Sequence, residues 1–482
     1  VGIAQSATAL LRTTYNLTML SRRRFLFTAA ATAPALALHS QKPAGAPADK
    51  PAEPALPPAI LALKNRRKEI VPITVEEREQ RLDLARELMK QYKIDAIVVT
   101  TGSSLQYFTA ARWGQSERLF AYILPAAAAP FVVCPYFERD RLNELLLAFP
   151  ERETVISYLW QENEDPYDYV RKGLAEAGVT TGALGIEEHT QFAFANAIGR
   201  ACPALKIVSA TPVTAGCRSH KSPAEIALLR LANAITFDVY KAAYLSCGPG
   251  DTNQHFSDVV AKAYERCGVP GNASCQVGEN SAVPHGTSRP QTIRENEMVL
   301  IDDGCTVEGY TSDISRSFVY GKPSDFQREI FEIVHNAQSA ALAAAHPGVE
   351  MQAVDAAARD VITAAGYGPG FTYFTHRVGH GIGLDMHEWP YLVGGNTQKL
   401  AAGMLFSDEP GIYLPGKFGI RLEDDMLLTD IGAELLTPQS PSLQDPFGIA
   451  AQTGDKPKDA PATDAKPADP KPEEKPSGVP KT

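Results

Sequence analysis

Between residues 297 and 425 the chain repeats short phrases in which carboxylates and histidines sit among glycines and apolar residues. They are Met298-Val-Leu-Ile-Asp302-Asp-Gly, Thr311-Ser-Asp313-Ile, His376-Arg-Val-Gly-His380-Gly-Ile-Gly-Leu-Asp-Met-His387-Glu, Asp408-Glu409-Pro-Gly and Gly419-Ile-Arg421-Leu-Glu423-Asp. Asp302, Asp313, His380, Glu409 and Glu423 read as ligands of two metal ions, which requires a fold that gathers several distant segments at one place. Four anionic oxygen donors and one imidazole, without cysteine, form a hard-to-borderline set. It suits Mn, Co, Fe or Zn better than a structural thiolate zinc site would. Two such ions side by side carry out hydrolysis.

Local pattern supports the grouping. Residues 297–302 and 313–318 read as two strands flanking a turn that holds Gly304 and Gly309, and period-two alternation points one Asp from each strand to the same face. Two aligned carboxylates alone repel, and one of them protonates; divalent cations between them remove that cost. His380 is flanked by glycines that permit close backbone approach, with His376 four residues before it and His387 seven after. Glu409 and Glu423 follow on strand-like segments. Alternation places Arg421 and Glu423 on one face, where their opposite charges can orient one another.

With 482 residues, 44% of them hydrophobic, the chain exceeds one ordinary core and reads as two domains plus tails. A net charge of −10, without a long basic run, leaves no electrostatic footprint for nucleic acid and favours a small polar or peptide ligand. The seven cysteines are scattered without CxxC spacing and read as buried small hydrophobes.

In chain order, residues 1–40 read as a twin-arginine signal region: Ser21-Arg22-Arg23-Arg24-Phe25-Leu26, a short apolar run, then small residues suited to cleavage after Ala35-Leu-Ala37. The run is too short for a firm membrane anchor, so the protein is expected to be exported, periplasmic or extracellular. Met19 just ahead of the arginines is a candidate start. Residues 41–74 are expected to form a linker. Residues 75–212 alternate helical and strand periods, an α/β domain with helices expected at 76–93, 138–148, 166–177 and 190–200. Glu187-Glu188-His189 reads as a solvated turn.

The second domain, 213–440, opens on Ser222-Pro223-Ala224-Glu225, a capping box with proline at the first helical position. A helix to about residue 245 follows, then another from 252 to a stop at Gly268. Further helices near 325–345 and 352–365 alternate with antiparallel strand pairs, which suggests two similar halves. Residues 441–482 read as a disordered tail rich in Pro, Lys, Asp and Ala.

As a set, the ordered Asp, Asp, His, Glu, Glu, the eleven-residue step from Asp302 to Asp313, and the GHGIG, DEPG and RxEDD phrases over residues 75–437 resemble the creatinase and prolidase type of M24, or pita-bread, metallopeptidases. The resemblance implies an α/β creatinase-like N-terminal domain followed by a pita-bread catalytic domain of two similar halves. It implies Asp302 on one ion, His380 and Glu409 on the other, Asp313 and Glu423 as bridges, and Glu409 as the base. His285 and His387 are implied as substrate-contacting residues, with Arg421 in support. It further implies two divalent ions, manganese first and Co, Zn or Fe otherwise. The implied substrates are peptides or dipeptides with proline second, and the implied assembly is a homodimer with the N-terminal domain near the partner's site.

The Xaa-Pro amide lacks an N–H, so peptidases that grip that donor match it poorly and a dedicated site is chemically reasonable. A metal-free creatinase-like C–N hydrolase, or a binding protein that kept the fold, would have no use for five retained ligands. The fourteen-residue step from Glu409 to Glu423 resembles compact prolidases and short aminopeptidases, and export mildly favours an aminopeptidase.

Overall fold

The computed structural model describes residues 55–450. The expected signal, residues 41–54 of the expected linker and residues 451–482 lie outside them. No helix among the described residues is long and apolar enough to cross a membrane.

The described chain starts with helix α1 (Pro58–Ala62), where a linker was expected. Ile60 is fully buried there against the first helices of the catalytic half, because the Ala-Ile-Leu-Ala-Leu run supplies an apolar face that linker composition elsewhere lacks. The N-terminal domain then follows: α2 (Val75–Tyr92), β1 (Ala96–Val99), α3 (Ser103–Thr109), β2 (Ala121–Pro125), β3 (Phe131–Pro135), α4 (Arg139–Leu146), β4 (Ile156–Trp160), α5 (Pro166–Glu176), β5 (Gly182–Ile186), α6 (Phe192–Ala201), β6 (Leu205–Ser209) and α7 (Thr211–Ser219). Its strands form one mixed sheet in the order β4-β3-β2-β1-β5-β6. Alternate residues feed two cores. Ile97 and Val99 face α2, α3 and α7, whereas Ala96 and Val98 face α5 and α6. Both sheet faces are covered, which is why the inner strands read as unbroken apolar runs.

Helix α7 runs across the expected boundary at residue 212, and its Val213 and Cys217 are buried in the N-terminal core. Glu187 is buried rather than solvated: its carboxylate accepts from Ser104 Oγ (3.2 Å) and from the backbone N of His189 (2.9 Å). Ser104 of α3, distant in sequence, meets it there, which a polar triplet in sequence does not reveal.

The catalytic half opens on α8 (Pro223–Ser246), whose capping box is formed: Ser222 Oγ accepts from Glu225 N (3.2 Å) and Glu225 Oε2 from Ser222 N (3.0 Å). Next come α9 (Asn253–Cys267), stopped by left-handed Gly268 at φ 83°, and strands β7 (Ser274–Val277), β8 (Met298–Asp302), β9 (Thr306–Val307), β10 (Tyr310–Thr311) and β11 (Arg316–Val319). The second half comprises α10 (Asp325–Ala344), α11 (Met351–Ala364), β12 (Gly379–Gly381), β13 (Glu388–Leu392), β14 (Leu405–Asp408), β15 (Gly411–Leu414), β16 (Phe418–Arg421), β17 (Asp424–Leu428) and β18 (Ala433–Leu435). Sheets β11-β8-β7 and β13-β12-β14-β17-β18 each pack a helix pair, α8 with α9 and α10 with α11. Two similar halves were expected, and this is their arrangement.

Two expectations need correction here. Asp313 lies outside a strand: β11 starts only at Arg316, because the small β9–β10 hairpin intervenes and Ile314 N bonds Asp303 O (3.1 Å) instead of joining a ladder. Residues 441–450, expected as the start of the tail, carry buried side chains instead. Leu443 and Phe447 are buried in the two catalytic cores, and Leu443 O accepts from Val319 N (2.8 Å). All seven cysteines are free, six of them buried.

Candidate metal centre

Five strand ends and loops of the catalytic half converge on one cavity of about 380 Å³. Asp302 closes β8, Asp313 follows β10, His380 is central in β12, Glu409 follows β14, and Glu423 stands between β16 and β17. Their donor atoms form two overlapping triads, Asp302–Asp313–Glu423 and His380–Glu409–Glu423, with the atoms of each triad within 4.8 Å of one another. Asp313 also groups with His380 and His387. His380 Nε2 lies 3.3 Å from Glu409 Oε1 and 3.8 Å from Asp313 Oδ2. His285, His376, Arg377, His387 and Arg421 line the same cavity.

Glycines make the convergence possible. A Cβ on Gly379 would stand 2.0 Å from Ser407 O, so only glycine lets β12 approach β14 this closely. Ser407 Oγ accepts from His380 N (3.0 Å), and His380 Nδ1 donates to Gly381 O (3.1 Å), which turns Nε2 toward the carboxylates.

Arg421 pairs with Asp302 through Nη2, whereas its Nε lies 3.7 Å from Glu423 Oε2. The expected Arg421–Glu423 partnership is present as this longer ion pair, and Ser315 links the two as well. Its hydroxyl oxygen accepts from Arg421 Nε (2.8 Å) and lies 2.6 Å from both Asp302 Oδ1 and Glu423 Oε2. Arg421 Nη1 donates to Pro284 O (2.8 Å), which holds the loop carrying His285, and to Tyr413 Oη (3.0 Å). His376 Nδ1 donates to Arg377 O (2.8 Å), so its Nε2 accepts from Tyr413 Oη (2.7 Å). Sequence reasoning missed Ser315 and Tyr413. The only available signal was their period-two spacing from Asp313 and Gly411.

Electrostatics favour cations among these groups. Burial, and then its carboxylate neighbours Asp302, Asp425 and Glu409, push Asp313 well above the usual carboxylate range. Burial and then Asp313, Glu409 and Asp302 do the same to Glu423. Glu409 is pushed up to about 8, chiefly by burial. Burial followed by His387 holds His380 down, and burial followed by Arg421 takes His376 down to about 3; these imidazoles are neutral and free to act as ligands or hydrogen-bond partners. Divalent ions of the hard-to-borderline class fit this donor set: they restore charge to crowded carboxylates, and no cysteine lines the cavity.

Comparison with known proteins agrees with this geometry. Residues 227–430 match the model of metallopeptidase family M24, and residues 81–220 match that of the creatinase/prolidase N-terminal domain. An Xaa-Pro dipeptidase of Lactobacillus helveticus is 33% identical over 374 residues, which span 74% of this chain and 96% of that protein. The crystal structure of dipeptidase PepE from Mycobacterium ulcerans superposes with a TM-score of 0.72 at 32% identity, covering 78% of this chain and 99% of that one. A prolidase from Thermococcus sibiricus gives 0.67 at 30% identity, covering 74% and 96%. The chain belongs to metallopeptidase family M24, in the group that joins a creatinase/prolidase-type N-terminal domain to the catalytic domain, and it is a peptidase.

Proposed function

We propose that the protein hydrolyses the bond before proline in Xaa-Pro dipeptides, using two divalent ions held by Asp302, Asp313, His380, Glu409 and Glu423. The observation that carries this reading is the convergence of those five donors with His285, His387 and Arg421 in one cavity. Its volume of about 380 Å³ lies near the lower end of ligand pockets, which span roughly 300–1,000 Å³. That favours a dipeptide over a longer chain, as do the relatives named dipeptidase or prolidase.

When bound, the ions polarise the scissile carbonyl and lower the proton affinity of a water. Asp302 would hold one ion and His380 with Glu409 the other, with Asp313 and Glu423 shared between them; the grouping of these donors supports that assignment. Glu409 takes a proton from the attacking water and returns it to the proline nitrogen, which must gain a hydrogen as the C–N bond breaks. His285 and His387, at the exposed rim, donate to the developing oxyanion and orient the leaving nitrogen. Arg421 holds Asp302 and the His285 loop in place. Manganese is the first candidate metal.

The manganese-loaded protein should release proline from Xaa-Pro much faster than it cleaves Xaa-Pro-Yaa-Zaa, followed by mass spectrometry. Equal cleavage of the tetrapeptide would make it an aminopeptidase, and cleavage of neither would end the peptidase reading.

Export through the twin-arginine signal and homodimerisation belong to the same proposal. Both can be checked on protein recovered from the periplasm. Replacing Arg22 and Arg23 by lysine should keep the chain in the cytoplasm, and sedimentation of the exported form should give twice the chain mass. Unchanged export or a monomer would remove the corresponding part.

A further inference from the structure

The last turn of α7 belongs to the N-terminal core, yet it sends Arg218 into the catalytic half, where its side chain is almost fully buried. Its Nη2 pairs with Glu388 and, at 2.5 Å, with Asp385 Oδ2. Lys221 Nζ lies 2.8 Å from the other oxygen of Glu388. Asp385 Oδ1 accepts from Ser103 Oγ (2.5 Å) at the start of α3, so two N-terminal segments grip the same carboxylate.

These two carboxylates flank His387, one residue after it and two before. Glu388 opens β13 and pairs with Gly381 across a bulge that begins at His380. Room for its carboxylate depends on Gly383, where a Cβ would stand 2.6 Å from Glu388 Oε1. The His387 ring lies 3.9 Å, centroid to centroid, from that of His380. Among the described residues no hydrogen bond holds the His387 ring, so its placement depends on the backbone to either side. Buried ion clusters are weak sources of stability, since desolvation offsets their attraction. What one buried Nη2 shared by two carboxylates does supply is a fixed geometry, since the planar guanidinium sets where that atom stands.

We propose that Arg218 is a positioning residue: by joining Asp385 to Glu388 it fixes the segment that holds His387 over His380, so the N-terminal domain sets the place of a substrate-contacting imidazole. The inference rests on the reading of His387 given above.

A double-mutant cycle tests it. Arg218→Lys keeps the charge but ends short of the Nη2 position that both carboxylates share, and should lower kcat on Xaa-Pro by about ten- to a hundredfold, the size of effect that small misplacements near the chemistry produce. KM should stay within about threefold and bound metal should be unchanged, because the five donors keep their positions. In a His387→Ala background the same substitution should cost less than about twofold, since the residue it acts through is gone. Equal losses in both backgrounds, or loss of metal, would overturn the proposal. If Arg218→Lys fails to fold, Asp385→Asn, on the more exposed partner, enters the same cycle with the same expectations. Wild-type activity in His387→Ala alone would instead remove the role given to His387.

Discussion

Glu423→Gln is expected to remove at least one metal ion per chain and to lower kcat/KM by about a thousandfold or more, the scale at which transition-state stabilisation is lost with a metal or a key electrostatic donor. Glutamine keeps the shape and can still meet Ser315 Oγ, which lies 2.6 Å from Glu423 Oε2, so the change is chiefly one of charge. Glu423 is common to the Asp302–Asp313 and the His380–Glu409 triads, and losing its charge weakens both ends of the site together. Metal analysis of the purified variant alongside its kinetics decides the matter. Two ions retained with activity lost would assign Glu423 to the chemistry alone, and two ions retained with activity intact would exclude it from the centre.

The reasons this site was legible in the sequence are physical. Metal donors are few in type, and glycines at Gly379, Gly381 and Gly383 announce close backbone approach, so GHGIG carried both a candidate ligand and the room for it. The capping box at Ser222 and the glycine stop at Gly268 marked helix ends because both depend on local hydrogen bonding alone. What escaped depends on residues brought together from far apart. Ser315 is an unremarked serine until Arg421 arrives from β16, and Arg218 looks like a surface cation until Asp385 and Glu388 surround it. The same applies to burial: Ile60, Glu187 and Phe447 sit in segments whose composition reads as solvent-exposed, and tertiary packing covers each of them. Strand existence was visible in apolar runs, but the Asp313 strand was misplaced because a two-residue hairpin leaves almost no periodic signal.

Arg316→Met is expected to destabilise the folded chain by about 3–5 kcal/mol, the usual result of removing one member of a buried ion pair. Arg316 is 0% exposed; its Nη2 lies 2.6 Å from Asp424 Oδ1 and 2.8 Å from Pro438 O, and its Nη1 donates to Ser315 O (3.0 Å) and Glu423 O (2.7 Å). Asp424 pairs across the ladder with Asp408, whose two carboxyl oxygens have no hydrogen-bond partner among the described residues. Burial and then Asp424 push Asp408 well above the usual carboxylate range; burial raises Asp424 too, and the Arg316 guanidinium is the cation that opposes that rise. Methionine has similar reach and no charge. It would leave Asp424 with Gln338 and Thr437 as its side-chain partners and take one donor from each of three carbonyls, of which Ser315 O still accepts from Glu423 N (3.2 Å). The denaturant midpoint should fall with an unchanged slope, as expected when stability changes and compactness does not. Adding Asp424→Asn should recover part of the loss, because the buried charge then disappears with its partner. A double variant no more stable than Arg316→Met would place the cost in the three carbonyls instead of the ion pair. Two of those carbonyls belong to Ser315 and Glu423, so activity should fall along with stability: the backbone that presents the metal centre is held by the same guanidinium that neutralises the core beneath it.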